Sequence, residues 1–171
     1  MIYPLASRLR VIQDAGDRTP NLVRQLITLT GIPDNTPTPL FTVTTANEAG
    51  SADGGAYLCQ VTALIAHAAT SATTNAAAKA FQARFTRAMI GASSGALSAV
   101  TEDHDNTPAD TDPATRSIGN VTLTVAETTE YVTTASITID LTGTGIDTAQ
   151  VTALVDLLWT GFLITPEIGP A

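Results

Sequence analysis

The feature that most constrains the fold is a repeated alternation of apolar and polar residues in short segments. It is clearest in VTLTVAE at 121–127 and in VTTASITIDLTG at 132–143. A period of two is that of a β-strand with one buried face, because successive side chains point to opposite sides of a sheet. The apolar positions Val121, Leu123 and Val125 share one face in the first segment, as do Ile137, Ile139 and Leu141 in the second.

Earlier segments extend this pattern. LVRQLITLTGI at 22–32 and LFTVTTA at 40–46 alternate and are separated by the turn-rich IPDNTPTP. AYLCQVTALIAHA at 56–68 is apolar on both sides near its middle, which predicts a central strand. GALSAV at 95–100 predicts a further short strand.

Two segments carry both periods. In KAFQARFTRAMIG at 79–91, the alternation of Phe81, Ala83 and Phe85 indicates a strand, whereas Phe81, Phe85 and Met89 have helical spacing. We favour the strand. In IDTAQVTALVDLLWTGFLI at 146–164, a capping-box pair and helically spaced apolar residues compete evenly with an alternation that ends at Trp159.

Counted from Leu22, about eight extended segments are separated by turn signals. Aromatic residues make up only 5% of the chain, and small and β-branched residues suit thin sheet layers. The prediction is a mainly β chain: an antiparallel β-sandwich or jelly roll of about eight strands, with a C-terminal helix left open. Residues 1–20 lack a sustained period and predict an N-terminal anchoring arm, while 21–171 form the sandwich domain.

Charge is distributed unevenly. The chain carries a net charge of −8, but residues 1–24 have a balance of +2 and the remainder one of −10. An acidic body argues against tracking a phosphate backbone, so nucleic acid is an unlikely partner. A basic arm on an acidic body suits docking onto an acidic protein surface, although incidental arginines in a frayed terminus are an equal alternative. No segment has the length of a membrane span or the pattern of a signal peptide.

The stretch TEDHDNTPADTDPATR at 101–116 is the most chemical in appearance. Asp103, Asp105, Asp110 and Asp112 have two-residue spacings, but a calcium loop of the EF-hand kind also needs a glycine and a terminal glutamate, which are missing. A looser Ca²⁺ site from these four aspartates is a minor hypothesis. Because prolines and Asn106 are turn residues, we interpret the stretch as a solvated loop, and His104 has no nucleophile motif beside it.

No other motif indicates catalysis or a cofactor. The single cysteine, Cys59, lies in an apolar strand pattern and is expected to be a small buried hydrophobe. His67 is expected to be a polar residue at a strand end. The glycine-containing stretches match neither nucleotide-binding signature, and there is no G-x-S-x-G elbow. The sequence therefore predicts a non-enzymatic protein without cofactors.

From about Gly55 to Trp159 the order of features resembles a jelly-roll-type domain of bacteriophage virion proteins. The matching stretches are GAYLCQVTALIAHA, AAKAFQARFTR, GALSAV, a Thr/Asp-rich connection, VTLTVAETT, SITIDLTGTG and TALVDLLW. The resemblance implies a homotrimer in the virion that decorates the capsid or belongs to a tail or fibre. It also implies that an N-terminal segment binds other virion proteins, for which we expect Tyr3, Leu5, Arg8 and Arg10 to be the anchors.

Two alternatives remain at this stage. The strand-then-helix order of SITIDLTGTGIDTAQVTALVDLLWTGFL resembles the coat proteins of single-stranded RNA phages, which would make the chain itself a shell-forming coat. The acidic body argues against that, since an RNA-binding face should be basic. A carbohydrate-binding β-sandwich module is the third interpretation. It is disfavoured by one tryptophan and three tyrosines, because sugar sites usually rest on aromatic platforms.

Overall fold

A computed structural model of the chain describes residues 7–11, 21–45, 55–67, 78–89, 100–106, 116–129, 131–143, 148–161 and 166–171. These residues form mainly β-strands, and no helix occurs among them. The strands are β1 (Ser7–Val11), β2 (Asn21–Pro33), β3 (Thr38–Thr44), β4 (Gly55–His67), β5 (Ala78–Met89), β6 (Thr101–Asn106), β7 (Arg116–Thr129), β8 (Val132–Gly143), β9 (Thr148–Thr160) and β10 (Glu167–Gly169).

The strands make two antiparallel sheets. The six-stranded sheet has the order β1-β2-β9-β4-β5-β6, and the four-stranded sheet has the order β10-β3-β8-β7. Strand β2 pairs with β9, and β3 pairs with β8, so the first and last parts of the chain pair with each other in both sheets. Strands β4, β5 and β6 then continue as a meander. The predicted antiparallel β-sandwich is confirmed, and the eight longer strands β2 to β9 match the expected number.

The core lies between the sheets. Alternate residues of β4, β5, β8 and β9 point inward, and the large buried apolar side chains include Trp159, Phe41, Phe81 and Phe85. Strand β4 lies between β9 and β5, as its apolar sequence predicts. Many of the core residues that the two sheets contribute are Val, Ile and Ala, so small and β-branched side chains fill much of the interior, as the composition indicates.

Both ambiguous segments are strands. The preference for a strand at 79–91 is confirmed by β5, and β9 resolves the open choice at the C-terminal end. Strand β9 has neighbours on both sides, β2 and β4, which pair its backbone along its whole length. Val151, Val155 and Trp159 point inward, whereas Leu154 and Leu158 point outward. The sequence has a helical spacing because apolar residues of both faces of the strand are counted together.

Strand β2 contains a β-bulge that bends it around the core. Leu29 pairs with Val151 and Ile32 with Ala149, so one extra residue is accommodated on β2. Gly31 has a φ of 74°, the left-handed conformation in which glycine is favoured at such bulges. Beyond the bulge, the backbone amide of Asn35 donates to the carbonyl of Ile139, which fastens the turn to the opposite sheet.

The interpretation of 101–116 as a loop is wrong for its first part, because Thr101–Asn106 is the edge strand β6, paired with β5. The backbone pairing offered by β5 outweighs the turn preference of aspartate, and charged residues are typical of an edge strand.

The predicted strand at 95–100 lies outside the described residues except for Val100. Within the predicted arm, Ser7–Val11 pairs with β2, whereas the division at residue 20 stays a prediction.

Candidate functional site

The predicted anchoring residues are described only in part. Tyr3 and Leu5 lie outside the described residues. Arg8 and Arg10 lie on β1, at the register positions opposite Gln25 and Val23 of β2. The structure therefore brings two of the four residues to one edge of the six-stranded sheet, and their anchoring role stays a prediction.

The predicted calcium ligands are also divided. Asp103 and Asp105 lie on β6, where Asp103 is the extra residue of a bulge between the pairs Gln82–His104 and Ala83–Glu102. Asp110 and Asp112 lie outside the described residues. In the part of the chain that the structure describes, no three His, Cys, Asp or Glu side chains are grouped to hold a metal ion. The calcium hypothesis accordingly stays a prediction.

Cys59 and His67 have the positions expected from the sequence. Cys59 is completely buried, and this burial raises the pKa of its thiol well above the ordinary value. The thiolate is the reactive form of cysteine, so a thiol held neutral is chemically inert. The expectation of a buried hydrophobe is confirmed, and His67 is the last residue of β4.

A buried polar network joins the two sheets near one end of β5. The Arg87 guanidinium is fully buried; Nη1 donates to Thr133 Oγ1 at 2.6 Å and Nη2 donates to Glu127 Oε1 at 2.6 Å. Tyr57 Oη also donates to Thr133 Oγ1, at 2.9 Å, and its ring meets Phe85 edge to face. Arg87 and Tyr57 belong to one sheet and Thr133 and Glu127 to the other, so the network fixes how the sheets align.

The charges and protonation states of this network suit a role in holding the sheets together. Burial raises the pKa of Tyr57, although the hydrogen bond to Thr133 and the charge of Arg87 act in the opposite direction. The phenol therefore stays protonated at neutral pH and acts as a hydrogen-bond donor. Glu127 is about a third exposed, which lets its carboxylate keep some water while it neutralises Arg87.

A second polar contact lies at the other end of β5. Lys79 is buried, and its Nζ donates to the carbonyl oxygen of Gly119 on β7. Burial lowers the pKa of Lys79, and the negative charge of Asp140 partly offsets that shift. Gly119 has no side chain, which leaves room for the carboxylate of Asp140 beside it. Strand β5 thus reaches the opposite sheet through a cation at each end.

The outer face of the six-stranded sheet is the most unusual surface. We define the leucine face as the outward-pointing residues of β2, β9, β4 and β5. Every large hydrophobic side chain that is exposed in the described residues lies here: Leu26 at 38%, Leu64 at 57% and Leu158 at 38% exposure. Exposed apolar residues gathered on one face are a mark of an interaction surface rather than of the core.

Cross-strand registers gather these leucines into rows. Leu22, Leu158 and Leu58 are directly opposite one another on β2, β9 and β4. Next to this row, Leu58 and Leu158 line an almost wholly apolar depression of about 270 Å³. Leu26 and Leu154 form a second pair further along the strands.

Between the two leucine rows lies a row of polar residues. Arg24, Asp156, Gln60 and Arg84 are opposite one another on β2, β9, β4 and β5. The Arg24 guanidinium donates to the Asp156 carboxylate through Nε at 2.6 Å and Nη2 at 2.8 Å, a two-bonded pair. The hydrogen bond and charge of Asp156 raise the pKa of Arg24. Asp156 is the one carboxylate on the leucine face, and Arg84 lies two strands away from it.

Comparison with protein-family models, with curated proteins and with solved structures returned no match. No helix of the described residues is long and apolar enough to cross a membrane.

The sequence reasoning missed both the buried cations and the leucine face. Lys79 and Arg87 have the same parity as Phe81 and Phe85 along β5, which is the signal that both point inward. The leucines at even positions of β2, β4 and β9 alternate with buried residues, and this parity indicates that they point outward. Their alignment into rows depends on which strands are neighbours, and strand order is not readable from the sequence.

Proposed function

We propose that this chain is a non-enzymatic structural protein of a bacteriophage virion, of the capsid-decoration or tail-associated kind. The observation that carries the proposal is the winding of the strands, in which β2 pairs with β9 and β3 with β8. Double-sheet jelly rolls, which share this nested pairing of first and last strands, serve as virion and lectin domains, among others. Because a fold alone does not fix a function, cosedimentation with particles and expression of the chain alone test the proposal.

The interior supports a structural role. Its buried cations, Arg87 and Lys79, bond to groups of the opposite sheet and so connect the layers. The exposed apolar surface is a broad sheet face, which suits contact with another protein. A carbohydrate-binding role is less well supported, since Trp159 and Tyr57 are buried and offer no outward aromatic platform.

The coat-protein alternative was suggested by a C-terminal strand followed by a helix. The strand-then-helix order is absent, because Thr148–Thr160 is a strand inserted between β2 and β4. The charge argument remains as well, since the chain is acidic and would have to bind RNA through few basic residues. An accessory role beside a separate shell protein is therefore the better supported of the two.

Attachment of the protein to particles tests the accessory role. The full chain should cosediment with particles assembled from the shell protein of the same phage. A variant that lacks residues 1–20 should stay folded but remain in the supernatant. Circular dichroism of the truncated protein checks that the sheets persist. Equal cosedimentation of both proteins would contradict anchoring by the arm, and no cosedimentation of the full chain would contradict the accessory role itself.

Expression of the chain alone separates the two virion roles. We expect small discrete oligomers by negative-stain electron microscopy and light scattering. Their mass decides between the trimer implied by the family resemblance and the dimer proposed in the next subsection. Closed shells that contain RNA would instead support the coat-protein alternative.

A further inference from the structure

We propose that the leucine face binds a second copy of this chain through a two-fold contact whose axis runs along β4. The inference concerns self-association alone and holds whether or not the chain belongs to a virion. Its basis is the order of strands, the charges of the central polar row, and the size of the face.

The strand order makes the face suited to pairing with itself. In the run β2-β9-β4-β5-β6, strand β4 is the middle one. A half-turn about an axis along β4 therefore places β9 of one copy over β5 of the other, and β2 over β6. Contacts of this kind are isologous, because the same surface of both copies takes part and every contact between two different residues occurs twice.

The charges match under this operation. In the central row, Asp156 of one copy comes to face Arg84 of the second copy, and Gln60 faces its own equivalent. Asp156 already accepts two hydrogen bonds from Arg24, so the contact would place its carboxylate between two guanidinium groups. A face-to-face packing of sheets keeps strand directions within about 30° of each other, and residues near the axis are displaced least by that angle.

The central row also distinguishes this axis from its neighbours. An axis along β9 instead would place Asp156 over Asp156, and an axis between β9 and β4 would place Arg24 over Arg84.

The area is sufficient for a stable dimer. Five strands at about 4.8 Å spacing, most of them with 12 or 13 residues at about 3.3 Å each, cover on the order of 800 Å² per copy. That is the size of a standard specific interface. On the axis, Leu58 and Leu64 meet their own equivalents, and Leu64 is the most exposed leucine of the face at 57%.

The first test is the mass of the full chain in solution. At about 100 µM, sedimentation equilibrium should give twice the monomer mass of 17.6 kDa. Leu64→Asp should give the monomer mass, because the two-fold axis would place two carboxylates against each other. Thr124→Asp, an exposed position on the outer face of the four-stranded sheet, is the matched control and should remain dimeric. Circular dichroism should show both variants folded.

A charge exchange tests the axis itself. Arg84→Glu and Asp156→Arg should each weaken the dimer at least tenfold, and the double variant should recover most of the affinity, since each new pair again has opposite charges. A double variant no stronger than the single ones would overturn the two-fold arrangement. A monomeric wild type, or a mass unaffected by Leu64→Asp, would overturn self-association through this face.

The outcomes are separate from those of the proposed function. A monomeric wild type whose Leu64→Asp variant no longer cosediments with particles would assign the leucine face to another virion protein and overturn the inference, while the accessory role would stand. A dimer that never cosediments with particles would support the inference and contradict that role.

Discussion

The two outer faces of the sandwich follow the same binary pattern and yet differ in chemistry. The leucine face of the six-stranded sheet carries aligned leucines with a single ion pair between the rows. We define the threonine face as the outward residues of β3, β8 and β7, which include Thr42, Thr134, Thr138, Thr122 and Thr124. No leucine points outward there among the described residues.

The contrast shows that leucine is not needed on an outer face for a strand to form. Threonine is β-branched and satisfies a half-buried sheet position while its hydroxyl faces water. On the threonine face, such hydroxyls bond locally, as Thr124 Oγ1 does to the carbonyl of Ser136 at 3.4 Å. The leucines of the other face support the proposed contact between two copies of the chain.

The largest effect should separate the two sides of β4. Ile65 is fully buried and Leu64, its neighbour, is mostly exposed. At about 1 µM protein, Ile65→Ala should lower the free energy of unfolding by about 3–4 kcal/mol, and Leu64→Ala by less than about 0.5 kcal/mol. Urea denaturation measures both. At about 100 µM the cost of Leu64→Ala should grow, because a dimer stabilises its folded subunits by mass action.

The dependence of the Leu64→Ala effect on protein concentration tests whether the leucine face and the threonine face differ in energy. If Leu64→Ala costs the same at both protein concentrations, the leucine face contributes nothing to association and resembles the threonine face in energetic terms. Thr124→Ala is the control and should have a small, concentration-independent effect.

The next effect concerns the network that joins the sheets behind both faces. Glu127→Ala should cost about 2–3 kcal/mol, because it leaves the buried charge of Arg87 without its carboxylate. Arg87→Met should cost less, under about 1.5 kcal/mol, since it removes the buried charge and keeps an apolar side chain of similar length. Chemical denaturation at neutral pH gives both values, and the reverse order of costs would refute this account of the network.

The smallest effect is a pH dependence from Cys59, which lies directly behind the leucine face. Its pKa is raised in the folded state, so its contribution to stability is complete below the ordinary value of 9.0 and is lost as the pH rises towards the folded value. Cys59→Ala should cost about 1–2 kcal/mol at pH 7. Above pH 9 this difference should shrink by about 1.4 kcal/mol per pH unit.

Urea unfolding of both proteins from pH 7 to pH 10.5 measures the change. A constant difference across that range would mean that the six-stranded sheet already exposes the thiol to water. The sheet behind the leucine face would then be less tightly packed than the buried Cys59 indicates.

Much of the fold could be predicted from local pattern. The alternation of Val121, Leu123 and Val125 decided which side of β7 is buried, and the apolar middle of β4 indicated a central strand. The segment at 101–106 could not be predicted, because its aspartates favour turns locally and only pairing with β5 makes them a strand. The same holds for β9, where two periods were superimposed.

The candidate site was less accessible than the fold. The inward parity of Lys79 and Arg87 was present in the sequence, but their partners Gly119, Glu127 and Thr133 are about 40 or more residues away. The leucine face depends on neighbours such as Leu22 and Leu158, which no local pattern connects.

The sequence by itself determined a mainly β chain, its alternation of buried and exposed positions, and its acidic charge. These properties follow from side-chain period and composition, which act within one strand. Only the tertiary structure decided which strands are neighbours, and therefore that the leucines form rows and that Asp156 and Arg84 lie on opposite sides of β4. Strand pairing depends on backbone hydrogen bonds that are the same for every residue, so the order of strands is set by how the whole chain packs.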